Sequence, residues 1–115
     1  MVWVGFSASQ VRFVKGQPKI YESRPGVKWG FCRDCGATLT WEANLSLFGL
    51  ADMILTELTI SSFDEPEVFR PDRHWQDGQR IPWFDVDDQL PRYKESAGSD
   101  AEPTHFGPLE KVARS

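Results

Sequence analysis

The sequence has no surplus of positive charge, no long apolar run, and only two cysteines and two histidines in 115 residues. Lys and Arg number 13 against 17 Asp and Glu, a formal net charge of -4. Non-specific binding of nucleic acid or anionic lipid rests on excess positive charge, so this balance argues against both. No stretch approaches the roughly 20 apolar residues that carry a helix across a bilayer. The opening MVWVGFSASQ lacks a basic segment followed by a long apolar core, so it does not read as a secretion signal. A cytoplasmic, reducing compartment is the expectation, and there a close cysteine pair serves metal or redox chemistry more often than a structural disulfide.

What the sequence has in quantity is aromatic and turn residues: 13% aromatic with five Trp, together with eight Pro and nine Gly. That mixture predicts a mainly β protein of short strands and many turns. Its length allows one domain, burying about two-thirds of the surface an unfolded chain exposes. VRFVK (11–15) and KIYES (19–23) alternate on either side of Gly16-Gln17-Pro18 and predict a hairpin. Pro25-Gly26 marks a turn into a strand at VKWGF (27–31), and ATLTWEA (37–43) predicts the next one. In LSLFGLADM (45–53), Gly49 argues against a long helix. ILTELTI (54–60) is rich in β-branched residues and reads as the most buried strand, and a further short strand is expected around 73–76. Residues 94–115 are polar with scattered apolar side chains and read as a flexible tail, which leaves residues 1–93 as the working domain.

Both cysteines lie in GFCRDCGATLTW (30–41). A Cys-x-x-Cys turn brings two thiolates to one point, where a tetrahedral metal can sit, and amides inside the turn can face the sulfurs. Gly36 suits the positive-φ position such a turn needs. Asp34, inside the turn, opposes ionisation of the thiols. Zinc is the metal expected for thiolates in a cytosolic protein. Cys32 and Cys35 are therefore candidate metal ligands, although zinc wants four. Two other readings stay open: a pair of small buried hydrophobes, and a thioredoxin-like redox pair, which the strand-like ATLTW after the motif disfavours because that chemistry uses a helix N-terminus. His74 and His105 stand at spacings that match no zinc finger, His105 in the expected tail and His74 in a charged stretch beside Trp75.

In order along the chain, WVGFSASQVRF, KGQPKIYES, GFCRDCGATLTW, SSFDEPEVFRPDRHW and IPWFDVDDQLPRY resemble the glutathione-dependent formaldehyde-activating (GFA) and centromere-protein-V-like family. The resemblance covers about residues 2–93 and implies an Mss4-like fold, antiparallel sheets around a zinc knuckle. Trp29 departs from it, standing where the family usually has Arg. Members carry two further clusters upstream, a Cys-x-Cys pair and a Cys-x-Cys-x-x-Cys cluster. The first joins the knuckle at Cys32 and Cys35 on a structural zinc, and the second holds the zinc that acts on substrate. The resemblance thus implies that the matching half lies N-terminal to Met1, through a misassigned start, a shortened piece or a lost 5′ segment, and that a strand opens the present chain.

The same resemblance implies carbon–sulfur lyase chemistry, joining glutathione and formaldehyde as S-(hydroxymethyl)glutathione. It also implies that this chain, without the three-cysteine cluster, is inactive as a lyase. The alternative is a non-catalytic zinc or interaction module, a homodimer in which two knuckles share one zinc, and beside it stands a metal-free β domain. Asp85, Asp87 and Asp88 read as a solvated loop or helix start, and Trp75, Trp83 and Phe84 as core. No catalytic residue is assigned.

Overall fold

A computed structural model of the chain describes residues 1–95 and 101–108. It is mainly β, and the chain divides into two compact units, Met1–Arg70 and the residues from Pro71 onward.

The first unit is a five-stranded antiparallel sheet: β1 (Trp3–Ser7), β2 (Lys19–Arg24), β3 (Val27–Phe31), β4 (Thr38–Asn44) and β5 (Ile54–Thr59), in the spatial order β1-β5-β4-β3-β2. The turn at Pro25-Gly26 joins β2 to β3, with Gly26 at a φ of 83°. After β4 a single 3-10 turn, Leu45–Phe48, opens with the Asn44 side chain accepting the Ser46 amide at 3.0 Å. Gly49, at a φ of 74°, ends it, so no long helix forms there. The expected burial of the 54–60 strand is observed, with Leu55, Thr56 and Thr59 all buried.

Register decides which side chains share a face, because successive residues of a strand alternate sides. One row holds Gly5, Glu57, Trp41, Trp29 and Tyr21; the next on that face holds Leu55, Ala43 and Val27. Those last three are the buried apolar core. Trp3 packs edge-on against Trp29 at 5.9 Å, and Trp41 meets Phe48 of the 3-10 turn at 5.8 Å. The opposite face carries Thr40, Gly30 and Ile20 in one row and Phe6, Thr56, Glu42 and Lys28 in the next. Phe6 joins Phe63 and Phe69, whose rings lie 4.6 Å apart.

The expected 11–15 strand does not form. Residues 11–18 belong to no strand, and β2 pairs instead with β3. The tight turn at 25–26 fixes β2 in register with β3, while Phe13 and Pro18 line a cavity against the sheet. Alternation in VRFVK thus reflects a segment laid against a face rather than a strand within it. The β1 strand, which the residue pattern alone did not assign, fills the other edge of the sheet, beside β5.

In the second unit, β6 (Pro91–Arg92) pairs antiparallel with β7 (His105–Phe106), and His74 makes a parallel bridge to Arg92 where a strand at 73–76 was expected. Part of the segment read as a flexible tail therefore has a fixed place. The Thr104 amide donates to the Arg92 carbonyl at 2.8 Å, and Gly107 and Pro108 are buried. Residues 96–100 and 109–115 of that segment lie outside the described residues.

Candidate metal centre and a charged network

Cys32 directly follows β3, and the knuckle spans the β3–β4 connection. Two backbone bonds shape it: Cys32 N–H donates to the Ala37 carbonyl and Gly36 N–H to the Cys32 carbonyl, both at 2.9 Å. Gly36 closes the turn at a φ of 77°, a conformation that costs a residue with a Cβ about 1–2 kcal/mol. The backbone amides of Cys35 and Asp34 and the Cys35 thiol bond to the Cys32 sulfur and hold its thiol below the ordinary range, against partial burial and the Asp34 charge, which push upward. Both cysteines are free thiols, Cys35 exposed and Cys32 half-buried.

Two adjacent thiols, one of them with its anion already stabilised by amides, fit two corners of a tetrahedral zinc site. Among the described residues no group of three or more Cys, His, Asp or Glu side chains comes together to hold a metal ion. The knuckle is thus a two-ligand arrangement.

His74 and His105 have other partners. His74 Nε2 lies 2.9 Å from the Asp88 carboxylate, and His105 Nε2 lies 3.8 Å from that of Asp77. Between them runs a network centred on Arg92, which has no exposed surface. Arg92 Nη1 donates to Asp88 Oδ1 at 2.5 Å and to the Leu90 carbonyl at 2.6 Å, and Nη2 donates to the Val86 carbonyl at 2.7 Å. Asp85 lies 3.5 Å from Nη2. Arg80 Nε stands 3.7 Å from Asp77 and 3.8 Å from Asp85, while its Nη1 donates to the carbonyls of Ile81, Pro82 and Phe84. Burial raises Asp88, but bonds from His74, the Leu90 amide and Arg92 outweigh it and leave the carboxyl below its ordinary range.

Two sequence readings are corrected here. Asp85 and Asp88 are not a solvated loop but counter-charges to a buried guanidinium, a role signalled only by an Arg four residues after Asp88. Trp83 and Phe84 are not core: they are 79% and 58% exposed, because Arg80 gathers the carbonyls of their loop inward and the rings face out. Trp29, unexplained by sequence, packs on Trp3 and donates its Nε1 to Ser23 Oγ at 3.2 Å.

Glu57 carries no motif that marks it in the sequence. It sits mid-strand in the row with Trp41 and Trp29, makes no hydrogen bond or ion pair with another described residue, and burial pushes its carboxyl above the ordinary range.

Fold and site together define a class: a mainly β protein whose central hairpin ends in a two-thiol knuckle. Comparison with family models, with curated proteins and with solved structures gave no match.

Proposed function

We propose that the protein is a zinc-knuckle protein of the GFA and centromere-protein-V-like type with an Mss4-like fold, and that Cys32 and Cys35 supply two of four thiolates to a structural zinc. The observation that carries this reading is the Cys32 sulfur, which faces the amides of Asp34 and Cys35 in a turn closed by Gly36. A redox pair is less well supported, since the knuckle leads into β4 and not into a helix. Zinc bound by four thiolates has no open position, so its contribution is to folding and not to chemistry.

The other two thiolates come from a second copy of the knuckle or from further chain. The resemblance supports a cytoplasmic family with carbon–sulfur lyase activity on the glutathione–formaldehyde adduct. This sequence has two cysteines in all, both in the knuckle, so the three-cysteine cluster of that reaction is not among its residues. The 115-residue chain is therefore proposed to bind zinc without acting as a lyase.

Zinc content and molar mass, measured together on protein purified with zinc present, test the reading. Half a zinc per chain in a dimer is the expected result for shared knuckles, and Cys32→Ser and Cys35→Ser each abolish it. Absence of retained zinc in the folded chain removes the proposal. Turnover of glutathione and formaldehyde by this chain would overturn the statement that the upstream cluster is required.

A further inference from the structure

On the sheet face opposite Trp29 and Trp41, a cavity of about 100 Å³ opens between the sheet and residues 13–18. Phe13, Pro18 and Ile20 form its apolar wall, and Lys28, Thr40 and Glu42 lie among its polar groups with Gln17 and Thr56. Glu42 Oε1 accepts the Thr56 hydroxyl at 2.8 Å, which fixes the carboxylate. Thr40 is 5% exposed, yet its hydroxyl has no hydrogen-bond partner among the described residues. The hydroxyl borders the cavity, where water or a ligand can satisfy it. Gly30 keeps the floor open, since a Cβ there would fall 2.2 Å from Thr40 Oγ1.

Lys28 and Glu42 are direct cross-strand partners in the β3–β4 register. Opposite charges so placed ordinarily pair, but here no ion pair joins them, and Lys28 has no other partner among the described residues. The cavity therefore presents a cationic group and an anionic group that do not neutralise each other, with the Thr40 hydroxyl nearby. A volume of about 100 Å³ matches roughly three waters, or a molecule of about five heavy atoms.

We propose that this cavity binds a small zwitterion of the α-amino-acid class, its carboxylate on Lys28, its ammonium on Glu42 and one polar atom on the Thr40 hydroxyl. A purely anionic ligand would leave Glu42 repelling it, and a purely cationic one would do the same with Lys28. Opposite charges two or three bonds apart satisfy both. The site is independent of the metal reading, because none of its groups is a knuckle residue.

Titration of the isotope-labelled full chain by heteronuclear NMR tests the proposal, with glycine, acetate and methylammonium as separate probes. Glycine is expected to give saturable shifts at the amides of Thr40, Glu42 and Thr56. Acetate and methylammonium, each losing one charged contact, are expected to bind at least about tenfold more weakly. Lys28→Met and Glu42→Gln should each weaken glycine by about the same factor. Thr40→Val should weaken it less, because it removes a single neutral contact. The first substitution lies on an exposed side chain and the second keeps the acceptor for Thr56, so a folded spectrum is expected of both. Equal affinity for glycine and acetate, an unchanged affinity in Lys28→Met, or no saturable shift from glycine in the folded wild-type chain would each overturn the proposal, the last leaving a water-filled cleft.

Discussion

Arg92 shows how much one side chain can organise when it is fully desolvated. A buried guanidinium is tolerable only if its donors are satisfied and its charge is met. Asp88, the carbonyls of Leu90 and Val86, and Asp85 meet its charge and its two Nη groups, while Nε has no hydrogen-bond partner among the described residues. Asp88→Asn keeps the shape but removes the closest counter-charge. It should lower stability by about 2 kcal/mol, the scale of hydrogen bonds to charged groups. Urea unfolding followed by tyrosine and tryptophan fluorescence measures the loss, and an unchanged midpoint would mean that Asp85 alone suffices. Glu57 is the converse case, a carboxyl pushed up by burial with no partner among the described residues to justify its charge. Glu57→Gln should therefore stabilise the protein near neutral pH and do little in acid, where the wild-type group is already protonated. Neither residue was legible as such in the sequence. Asp88 stands in an acidic run of the kind that is usually solvated, and Glu57 alternates with Thr and Leu like any outward-facing strand residue.

Among elements, the β3–β4 hairpin was the most legible, because its signals are local. The turn residues Pro25-Gly26, the paired cysteines and Gly36 set its ends, and alternating apolar residues fill its strands. The segment at 11–15 was misread for the opposite reason. A two-residue period also describes a stretch lying against a sheet, and only the competing pairing of β2 with β3 decides between the two. Gly30 marks where this hairpin is tightest. Gly30→Ala would drive a Cβ onto Thr40 Oγ1, and β3 and β4 would have to separate or Thr40 rotate, at a cost of about 1–3 kcal/mol. Combining it with Thr40→Ala should recover much of that loss. A double-mutant cycle by thermal unfolding reads the coupling, and simple additivity would show that the two side chains do not meet. The candidate site follows the same logic. Cys32 and Cys35 were visible because metal-binding turns are short-range motifs, whereas the cavity draws on β2, β3, β4 and β5 together. No sequence window contains it.

For the molecule as a whole, the two units carry ionisable groups of opposite sign in their response to acid. Glu57 belongs to the first unit and Asp88 to the second. Glu57 is raised on folding, so the folded first unit binds its proton more tightly than the unfolded chain does. The first unit is thus favoured below the unfolded carboxyl value, and that advantage is lost as pH rises through the folded one. Asp88 is lowered on folding. Its contribution is present above the unfolded value and lost as pH falls through the folded one. Mild acidification should therefore strengthen the sheet against local opening, and stronger acid, below the ordinary Asp value, should loosen the strands at 91–92 and 105–106. Native-state hydrogen exchange, corrected for the intrinsic pH dependence of the chemistry, resolves the two regions separately. Protection in β4 and β5 is expected to rise as pH drops from neutral into the ordinary carboxyl range, and protection at Arg92, Tyr93 and Thr104 to fall once pH drops below the ordinary Asp value of 3.8. Glu57→Gln should flatten the first trend alone, and Asp88→Asn the second alone. Parallel changes in both regions that survive both substitutions would show that neither carboxyl governs the response. In that case the acid sensitivity would belong to the general charge balance of the chain.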